Sequence, residues 1–351
     1  MRVLVTGGSG FIGSAVCLGL VASGVRVVNV DRLTYAASPR SLDPVAHHPG
    51  YAFEQVDIRD RPALDAVFER YQPTGVLHLA AETHVDRSIT GAAAFIETNV
   101  IGTYQLLEAA RHYYNGLAPD LRDQFRFVHV STDEVYGTLG DDGLFSEETP
   151  YRPSSPYSAS KASSDHLAHA WYKTYDFPTI VSNCSNNYGP RQFPEKLIPL
   201  TIIKALAGES LPVYGTGANV RDWLFVEDHV EGLVRVLERG QPGARYNFGG
   251  NSERTNLSVV QCICDLLDGM KVFDRPRRSL ITFVADRPGH DHRYAVDARK
   301  AGRELDWHPR QSFESGLERT VRWYFENRAW WEPLTRQIYS GARLGLLEAE
   351  H

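Results

Sequence analysis

Two groups of residues have the types and spacing of an acid–base centre. Tyr157 and Lys161 are four residues apart, so a helix would place the phenol and the ammonium one turn apart on the same face. A nearby cation favours the phenolate, which would let the tyrosine act as a base near neutral pH. Asp133 and Glu134 directly follow Thr132. Two carboxylates whose pKa values are driven apart by their surroundings can divide the roles of acid and base.

The elements that must position these residues alternate between short apolar runs and helical stretches. This alternation predicts right-handed βαβ units and a doubly wound parallel sheet. In such a sheet ligands bind beyond the carboxyl ends of the strands, which is where Asp133 and Glu134 are expected. Ser155 and Pro156 predict the start of the helix that carries Tyr157, as N-cap and first helical residue. The predicted strands cover residues 3–6, 25–30, 75–80 and 125–131, and the other predicted helices cover 14–23 and 92–114.

The alternation weakens after about residue 187, where Pro190, Pro194, Pro199 and Pro212 interrupt a mixture of short elements. We therefore expect an α/β protein with a doubly wound Rossmann-type parallel sheet and a smaller, interleaved C-terminal α/β substrate domain. The Rossmann-type domain is predicted over residues 1–187, with some later segments returning to it. The substrate domain is predicted over 188–330, and a C-terminal tail over 331–351.

The sequence TGGSGFIG, after the first predicted strand, fits two glycine patterns. Gly8, Gly10 and Gly13 satisfy G-x-G-x-x-G, while Gly7, Gly10 and Gly13 satisfy G-x-x-G-x-x-G. Glycines permit a tight turn and a close approach of the backbone to a pyrophosphate. The following helix would bind that pyrophosphate with its free N–H groups and its dipole. With Asp31 at the end of the next strand, the pattern predicts a dinucleotide site.

Asp31 favours NAD over NADP as the cofactor. Its carboxylate could accept hydrogen bonds from the ribose hydroxyls and would repel a 2′-phosphate. Arg32 argues the other way, because a guanidinium could pair with that phosphate. Asp57 follows the next short strand and could either contact the adenine or cap a helix.

The composition excludes several other classes of protein. Of the 351 residues, 42% are hydrophobic and 23% are charged, which is typical of a globular chain. The net charge of −6 argues against a nucleic-acid partner and a polybasic membrane binder. No apolar run approaches the roughly 18 residues of a membrane span, and four scattered cysteines favour a reducing, cytoplasmic location. We expect no metal, because Cys262 and Cys264 are too close for a Cys-x-x-Cys clip and no third ligand cluster accompanies His290 and His292.

Taken jointly, these motifs resemble those of the extended short-chain dehydrogenases/reductases, and among them the nucleotide-sugar 4,6-dehydratases. Thr-Asp-Glu after the strand is the dehydratase form, whereas related epimerases and decarboxylases usually carry other residues there. The resemblance runs from Thr6 to about Pro309. It is carried by TGGSGFIGS at 6–14, DRLTYA at 31–36, LAAETHVDRSI at 79–89, STDEVYG at 131–137, SSPYSASKASSDHL at 154–167, NCSNNYGPRQFPEKLIPL at 183–200, RDWLFVEDH at 221–229 and DRPGHDHRYAVD at 286–297.

The resemblance implies dehydration of dTDP-glucose to a 4-keto-6-deoxy sugar, with hydride passing from C4 to NAD and back to C6. Tyr157, helped by Lys161, would take the proton of the C4 hydroxyl, and Thr132 would hydrogen-bond the C4 oxygen. Glu134 would remove the C5 proton while Asp133 protonates the departing C6 hydroxyl.

The same resemblance implies two sets of contacts. Its cofactor contacts are Gly7, Gly10, Phe11, Ile12, Gly13, Asp31, Arg32, Leu33, Thr34, Asp57, Ile58, Leu79, Ala80, Ala81, Thr98, Tyr157, Lys161 and Asn187. Its substrate contacts are Thr83, Thr132, Asn186, Glu195, Lys196, Leu197, Pro212, Tyr214, Arg221, Asn256, Arg287 and His290. A diphosphate suits the guanidinium and ammonium groups of Arg221, Arg287 and Lys196, although Arg221 could instead pair with Asp222.

Two other functions stay open. A nucleotide-sugar 4-epimerase or an acid-sugar decarboxylase would use Tyr157 and Lys161 without an acid–base couple of Asp133 and Glu134. A non-catalytic NAD-binding regulator would have lost Tyr157, Lys161 or Thr132, and all three are present. A homodimer is expected, because the helices predicted at 92–114 and 156–175 resemble those that pair in this family. The sequence leaves open whether the nucleotide is dTDP or UDP, and which pathway uses the product.

Overall fold

The computed structural model describes residues 1–271, 273–286, 290–337 and 339. Its strands are β1 (Arg2–Thr6), β2 (Arg26–Val30), β3 (Tyr51–Glu54), β4 (Gly75–His78), β5 (Arg126–Thr132), β6 (Thr179–Cys184), β7 (Asn186–Tyr188), β8 (Leu211–Tyr214), β9 (Val220–Phe225), β10 (Arg245–Phe248), β11 (Glu253–Thr255) and β12 (Ile281–Val284). Seven of these form the main sheet in the order β10-β6-β5-β4-β1-β2-β3. Every neighbouring pair in it is parallel. The predicted doubly wound, Rossmann-type fold is confirmed.

The helices lie mostly between these strands. They are α1 (Phe11–Ala22), α2 (Arg61–Tyr71), α3 (Val85–Thr90), α4 (Ala92–Phe95), α5 (Thr103–Asn115), α6 (Pro119–Gln124), α7 (Pro156–Tyr175), α8 (Leu197–Ala207), α9 (Val226–Arg239), α10 (Asn256–Gly269), α11 (Arg299–Leu305), α12 (Phe313–Glu326) and α13 (Arg328–Gln337). Helix α1 begins earlier than predicted, because Gly10 is its N-cap. A π-helical turn, Ile96–Gly102, joins α4 to α5, so the helical stretch predicted at 92–114 is present but locally widened. None of the described helices has the length and apolarity needed to cross a membrane.

Each face of the main sheet has its own apolar core, because successive side chains of a strand point to opposite faces. Val3 and Val5 of β1 pack into the core on one face, with Leu20 of α1. Leu4, between them, packs into the core on the other face, with Phe68 of α2. The sheet is therefore covered on both sides, as its uninterrupted apolar strands predict.

The later part of the chain builds a second group of elements. Its strands form two small sheets, β11-β9-β7 and β12-β8. Helices α8, α10 and α12 surround a separate core that includes Ile202, Ile263 and Val321. Within this stretch, β10 returns to the main sheet and pairs with β6. The two groups of elements are interleaved along the chain, and their facing edges border one cavity.

Candidate active site

The loop between β1 and α1 lines a cavity at the carboxyl end of the main sheet. Gly7 has a φ of +70°, and a Cβ there would lie 2.7 Å from Cα of Ala80. A Cβ on Gly13 would lie 2.1 Å from the carbonyl oxygen of Gly7, so only glycine lets α1 start this close to the strand. Gly8 packs against Asn29 and is not a lining residue. The pattern G-x-x-G-x-x-G is therefore the one that faces the cavity.

The N-terminus of α1 also faces this cavity. Its N-cap, Gly10, has no side chain to satisfy the first N–H groups of the helix. Phe11, Ile12 and Gly13, which make up the first turn, line the cavity. Free N–H groups and the positive end of the helix dipole suit a pyrophosphate.

Asp31 is held in place by two backbone N–H groups. Its Oδ2 accepts from the N–H of Ser9 at 2.9 Å, and its Oδ1 from that of Leu33 at 2.8 Å. Burial raises the pKa of Asp31, although these hydrogen bonds and Arg32 act in the opposite direction. Asp31 lines the cavity, whereas Leu33, predicted as a cofactor contact, does not. Leu33 instead adopts a φ of +62° and orients the carboxylate.

Arg32 is engaged by two carboxylates. Its guanidinium lies 3.3 Å from Asp57 and 3.0 Å from Glu82. The backbone of Glu82 is itself fixed by Asn99, whose Oδ1 accepts from its N–H at 2.8 Å and whose Nδ2 donates to its carbonyl at 3.0 Å. A 2′-phosphate near Arg32 would therefore meet three carboxylates, those of Asp31, Asp57 and Glu82. This arrangement favours NAD over NADP, although the guanidinium of Arg32 taken alone could have paired with a 2′-phosphate.

The predicted acid–base residues meet at the end of β5. Thr132 is its last residue, and Asp133 and Glu134 lie in the 3-10 turn that follows. The hydroxyl of Thr132 accepts from the N–H of Glu134 and donates to Asp133, each at 3.3 Å. Thr132 also acts on the phenol of Tyr157, whose pKa it lowers. These residues and Lys161 line the same cavity as the glycine loop.

Helix α7 starts as predicted, with Ser155 as its N-cap and Pro156 as its first residue. The hydroxyl of Ser155 accepts from the N–H of Ser158 at 3.1 Å, and the hydroxyl of Ser158 accepts from the N–H of Ser155 at 2.9 Å. This reciprocal pair is a capping box, which satisfies two otherwise unbonded N–H groups. Because the cap fixes where the helix begins, it also fixes the direction in which Tyr157 points.

The environment of Asp133 suits a general acid. Burial raises the pKa of its carboxyl well above the usual value, and the negative charges of Glu134 and Asp222 raise it further. Arg221 lowers it only in part. Its Oδ2 is buried and has no hydrogen-bond partner among the described residues. Such surroundings favour the protonated form of the carboxyl group, which is the form that a general acid needs.

The surroundings of Tyr157 favour its neutral form. Burial raises the pKa of Tyr157 well above its usual value, and Glu134 and Cys184 raise it further. The ammonium of Lys161 donates to the carbonyl oxygen of Val130 at 2.9 Å. The phenol is therefore protonated here, and the expected action of Lys161 on it stays a prediction.

The predicted substrate contacts fall into two groups. Thr83, Asn186, Glu195 and Lys196 line the same cavity as the acid–base residues. The remaining described ones do not line it: Leu197, Pro212, Tyr214, Arg221, Asn256 and His290. The rings of Tyr214 and His290 pack edge to face, with their centres 6.4 Å apart. Arg287 lies outside the described residues.

Glu195 and Lys196 connect two parts of the cavity wall. The carboxylate of Glu195, whose side chain is only 1% exposed, lies 3.3 Å from Nε of Arg87 and accepts from the hydroxyl of Tyr35 at 3.4 Å. The ammonium of Lys196 donates to the carbonyl oxygen of Thr83 at 3.1 Å. These contacts join the segment after β4 to the segment before α8, on either side of the cavity.

Arg221 lies in the second group of elements, close to the acid–base residues. Its guanidinium donates to the carbonyl oxygens of Asp291 and His292, at 3.0 and 3.4 Å, and lies 4.3 Å from the centre of the Tyr294 ring. The carboxylate of Asp222 accepts from two backbone N–H groups, at 2.7 and 3.0 Å. Arg221 therefore links β9 to the segment at 291–294, and its charge reaches Asp133.

Some lining residues were not predicted from the sequence. Cys184 and Ser185 lie at the end of β6, just as Thr132 and Asp133 lie at the end of β5. Their position at the end of a strand could therefore have predicted that they line the cavity. Glu82 was another candidate, as a carboxylate just after β4. The polar or aromatic lining residues of this kind are Glu82, Ser131, Cys184, Ser185, Gln192 and Phe193.

The site combines a glycine-rich dinucleotide loop with a helix that carries a Tyr-x-x-x-Lys pair, both at one end of a doubly wound sheet. These features define an extended short-chain dehydrogenase/reductase. The model of the GDP-mannose 4,6 dehydratase family matches residues 4–320. The chain is 56% identical to the probable dTDP-glucose 4,6-dehydratase of Sinorhizobium fredii over 348 residues, covering 99% of each chain. It is 59% identical to the dTDP-glucose 4,6-dehydratase of Neisseria gonorrhoeae over 334 residues, covering 93% of this chain and 96% of the other.

Solved structures agree with this assignment. The crystal structure of the dTDP-glucose 4,6-dehydratase of Streptomyces venezuelae with NAD bound matches with a TM-score of 0.88 and 46% identity, covering 95% of this chain and 100% of the other. The chain belongs to the dTDP-glucose 4,6-dehydratase family.

Proposed function

We propose that this protein converts dTDP-glucose into dTDP-4-keto-6-deoxyglucose and uses bound NAD to do so. The observation that carries the proposal is the meeting of Asp133 and Glu134 with Tyr157 and Lys161 in one cavity with a dinucleotide loop. A simple sugar dehydrogenase needs only the tyrosine and the lysine. Removing water also requires one group to take the C5 proton and another to protonate the C6 hydroxyl.

The residues around the glycine loop fit NAD. Gly7 and Gly13 allow the tight turn that starts α1 close to β1, and the open end of α1 supplies N–H groups for a pyrophosphate. Asp31 is oriented to accept hydrogen bonds from ribose hydroxyls. When bound, NAD supplies the redox chemistry, accepting a hydride from C4 of the sugar and returning it to C6, so that none is consumed.

Tyr157 and Thr132 act on the C4 hydroxyl. The phenol oxygen of Tyr157 takes the hydroxyl proton as C4 becomes a ketone. Thr132, which lines the same cavity, binds the same C4 oxygen. Because the pKa of Tyr157 is raised by burial and by Glu134, the tyrosine depends on the positive charge of Lys161 to lose its proton when substrate is in place.

Glu134 and Asp133 then divide the elimination between them. The C4 ketone acidifies the C5 proton, which the partly exposed Glu134 removes. Asp133, whose pKa is raised by burial and by Glu134, donates its proton to the C6 hydroxyl, which leaves as water. Neighbouring residues can take opposite roles here because one side chain is far more buried than the other.

Mass spectrometry of the reaction in ordinary and in heavy water tests this function. Incubation with dTDP-glucose is expected to give a product lighter by one water, and in heavy water the product gains one deuterium at C5. A product isomeric with the substrate would identify a 4-epimerase and contradict the proposal. Loss of carbon dioxide from a nucleotide uronic acid would identify a decarboxylase, and NAD binding without turnover of any of these sugars would identify a regulator.

We infer further that two copies of this chain form a homodimer. Ile96, Ile101, Tyr104 and Tyr175 are each between 41 and 47% exposed, although all are apolar or aromatic. They lie on the helical stretch from α4 to α5 and on α7, where the rings of Tyr104 and Trp171 are 5.9 Å apart. Clustered exposed apolar side chains of this kind mark a protein interface. A second copy would cover the same face by two-fold symmetry.

The other expected partners follow from charge and chemistry. The proposed partner is a nucleotide sugar, and the net charge of −6 gives no support for nucleic acid. The four cysteines are free thiols in the structure, which supports the proposed cytoplasmic location. Comparing dTDP-glucose with UDP-glucose as substrates would settle the base preference.

A further inference from the structure

One buried carboxylate has no role in the proposed reaction. Asp165 lies on α7 four residues after Lys161, just as Lys161 lies four residues after Tyr157, so the three share one face of the helix. Asp165 is 1% exposed and does not line the active-site cavity. An ionised carboxylate is costly to bury unless it is hydrogen-bonded and paired with a positive charge. The surroundings of Asp165 provide both hydrogen bonds and a positive charge.

The carboxylate of Asp165 is bound from several elements at once. Its Oδ2 accepts from the hydroxyls of Ser131 at 2.9 Å and Tyr151 at 2.7 Å, and from Nδ2 of Asn183 at 3.3 Å. Its Oδ1 lies 3.1 Å from Nε2 of His129. Ser131 and Asn183 are paired across β5 and β6. The carboxylate therefore ties α7 to two central strands directly behind the active site.

The charge of Asp165 is coupled to that of Lys161. Burial lowers the pKa of Lys161, and Asp165, followed by Cys184, raises it again. Burial raises the pKa of Asp165, but His129 and Lys161 outweigh this and leave it below its usual value. The Lys161 ammonium donates to the carbonyl oxygen of Val130, the residue just before the serine that binds Asp165. Each charge therefore stabilises the other.

Few other charges act on this pair. Burial lowers the pKa of both His78 and His129, so these histidines are neutral at neutral pH. Burial raises the pKa of the Cys184 thiol to about 12, so it is neutral as well. The titratable or charged groups that face Asp165 or Lys161 are His78 on β4, His129 on β5, Cys184 on β6, Arg245 on β10, and Tyr136 and Tyr151. Within the described part of the chain, Asp165 is the anion of this cluster at neutral pH.

We propose that Asp165 is a positioning residue whose carboxylate keeps Lys161 as an ammonium and holds it behind Tyr157. The catalytic consequence rests on the proposed dehydratase function, whereas the relation between the two charges does not. A purely structural Asp165 would pin α7 to β5 and β6 without affecting the proton on Lys161. The two roles therefore predict different effects on the titration of Lys161 when the carboxylate of Asp165 is removed.

The titration of Lys161 can be followed by NMR, because the chain has only six lysines. With ¹³C at the lysine ε-carbon, the Lys161 signal is the one that disappears in Lys161→Arg. In Asp165→Asn, which preserves size, the midpoint of the Lys161 titration is expected to move to lower pH, since the anion that stabilises the ammonium is gone. An unchanged midpoint would overturn the proposal even if the protein had no dehydratase activity.

Two control variants separate charge from packing. Asp165→Glu keeps the negative charge and is expected to leave the Lys161 midpoint close to that of the wild type. Asp228 is another buried carboxylate, which accepts from the N–H groups of Arg310 at 3.1 Å and Gln311 at 2.9 Å. Asp228→Asn is expected to lower the melting temperature without moving the Lys161 midpoint. A shift in Asp228→Asn equal to that in Asp165→Asn would count against a specific role.

Activity gives a second readout. In Asp165→Asn, kcat for dTDP-glucose is expected to fall by about 10- to 100-fold with little change in KM, because Asp165 does not line the cavity. The alkaline fall in the rate of NADH formation, a step that does not use Asp133, should begin at lower pH, since Lys161 loses its proton sooner.

Tyr151→Phe provides a milder variant in case Asp165→Asn does not fold. The Tyr151 hydroxyl lowers the pKa of Asp165, so its removal lets the carboxylate become protonated at higher pH. The acidic fall in the rate of NADH formation, a step that does not use Glu134, should then begin at higher pH. An acidic fall of that rate identical to the one in the wild type would contradict the proposal.

Discussion

At the scale of single residues, the site depends on neighbours that differ in burial. Asp133 and Glu134 are adjacent in sequence, yet Asp133 is 2% exposed while Glu134 keeps partial contact with solvent. Both side chains line the cavity, but the 3-10 turn after β5 buries one of them more deeply than the other. The negative charge of Glu134 also makes Asp133 harder to ionise, so only one of the two is expected to be charged when the substrate arrives.

Replacing each carboxylate by its amide should separate the two halves of the elimination. Glu134→Gln is expected to abolish both water loss and C5 exchange with heavy water, because nothing removes the C5 proton. Asp133→Asn should slow water loss by about 100-fold or more while C5 exchange continues. Mass spectrometry and proton NMR measure both rates. Identical behaviour of the two variants would contradict the division of roles.

The pH dependence of the wild type provides a further check on Asp133. As a general acid it must be protonated, so water loss should fall as pH rises through its pKa. That pKa is raised by burial and by Glu134, so the fall is expected above the usual aspartate range. C5 exchange, which uses Glu134 as a base, should not share this fall.

Cofactor choice is also decided by single side chains. In Glu82→Gln the guanidinium of Arg32 loses its closer carboxylate and is free to meet a 2′-phosphate. NADP binding is expected to tighten by about tenfold, with NAD binding little changed; calorimetry on the protein freed of cofactor measures both. Glu97→Gln, at a carboxylate that pairs with Arg59 at 2.9 Å, is the matched control. Unchanged NADP affinity in Glu82→Gln would show that Arg32 does not face the ribose.

At the scale of elements, α7 carries the tyrosine, the lysine and the buried aspartate on one face. Its direction is set at its start by the Ser155 capping box and along its length by Asp165. The Asn99 side chain, in the π-helical turn, also binds the hydroxyl of Ser160 on α7 at 2.8 Å. The same asparagine fixes the backbone of Glu82. One widened turn thus connects the catalytic helix to the cofactor-facing loop.

Loss of the α7 cap should affect both stability and catalysis. Ser155→Ala is expected to cost about 1 kcal/mol of unfolding free energy and to lower kcat, because Tyr157 lies in the first turn. Ser312→Ala removes the equivalent cap of α12, whose hydroxyl accepts from the N–H of Ser315 at 3.2 Å. That control should lose similar stability, measured by urea unfolding, without a fall in kcat per folded molecule. Equal kcat in the two variants would show that the cap does not orient the tyrosine.

Local signals in the sequence were sufficient for the elements around the glycine loop and α7. The apolar strands, the glycine spacing and the Ser155-Pro156 cap act within a few residues, so their geometry could be predicted. The raised pKa of Tyr157 and the pairing of Arg32 with two carboxylates could not be predicted from the sequence. Both depend on residues that are distant in sequence and become neighbours only in the fold. The π-helical turn has no periodic signal of its own, and the carboxylate of Asp165 on α7 is bound by residues of β5, of β6 and of the loop that contains Tyr151.

At the scale of the whole molecule, the catalytic helix lies next to the face proposed for the dimer. Tyr175 ends α7, and Trp171, one turn earlier, packs its ring against those of Tyr104 and Tyr175. Tyr157 is at the other end of the same helix. Dimer formation would therefore support the element that orients the active site.

A charge placed on that face should separate the two copies. Ile101→Glu is expected to convert the dimer into a monomer, because a carboxylate would be buried without a partner at the interface. Light scattering after size-exclusion chromatography measures the mass. Leu144→Glu, at a leucine that is 50% exposed elsewhere, should leave the mass unchanged. A wild-type protein that elutes as a monomer would contradict the proposed assembly.

The return of β10 to the main sheet has a consequence for the order of synthesis. Strand β6, whose end contributes Cys184 to the active site, pairs on its outer side with residues 245–248. While the ribosome is adding the residues between, β6 is an exposed strand edge in a nascent chain, and such edges invite pairing with other chains. Release of a fragment that stops before β10 would therefore yield an aggregation-prone product rather than a smaller nucleotide-binding protein.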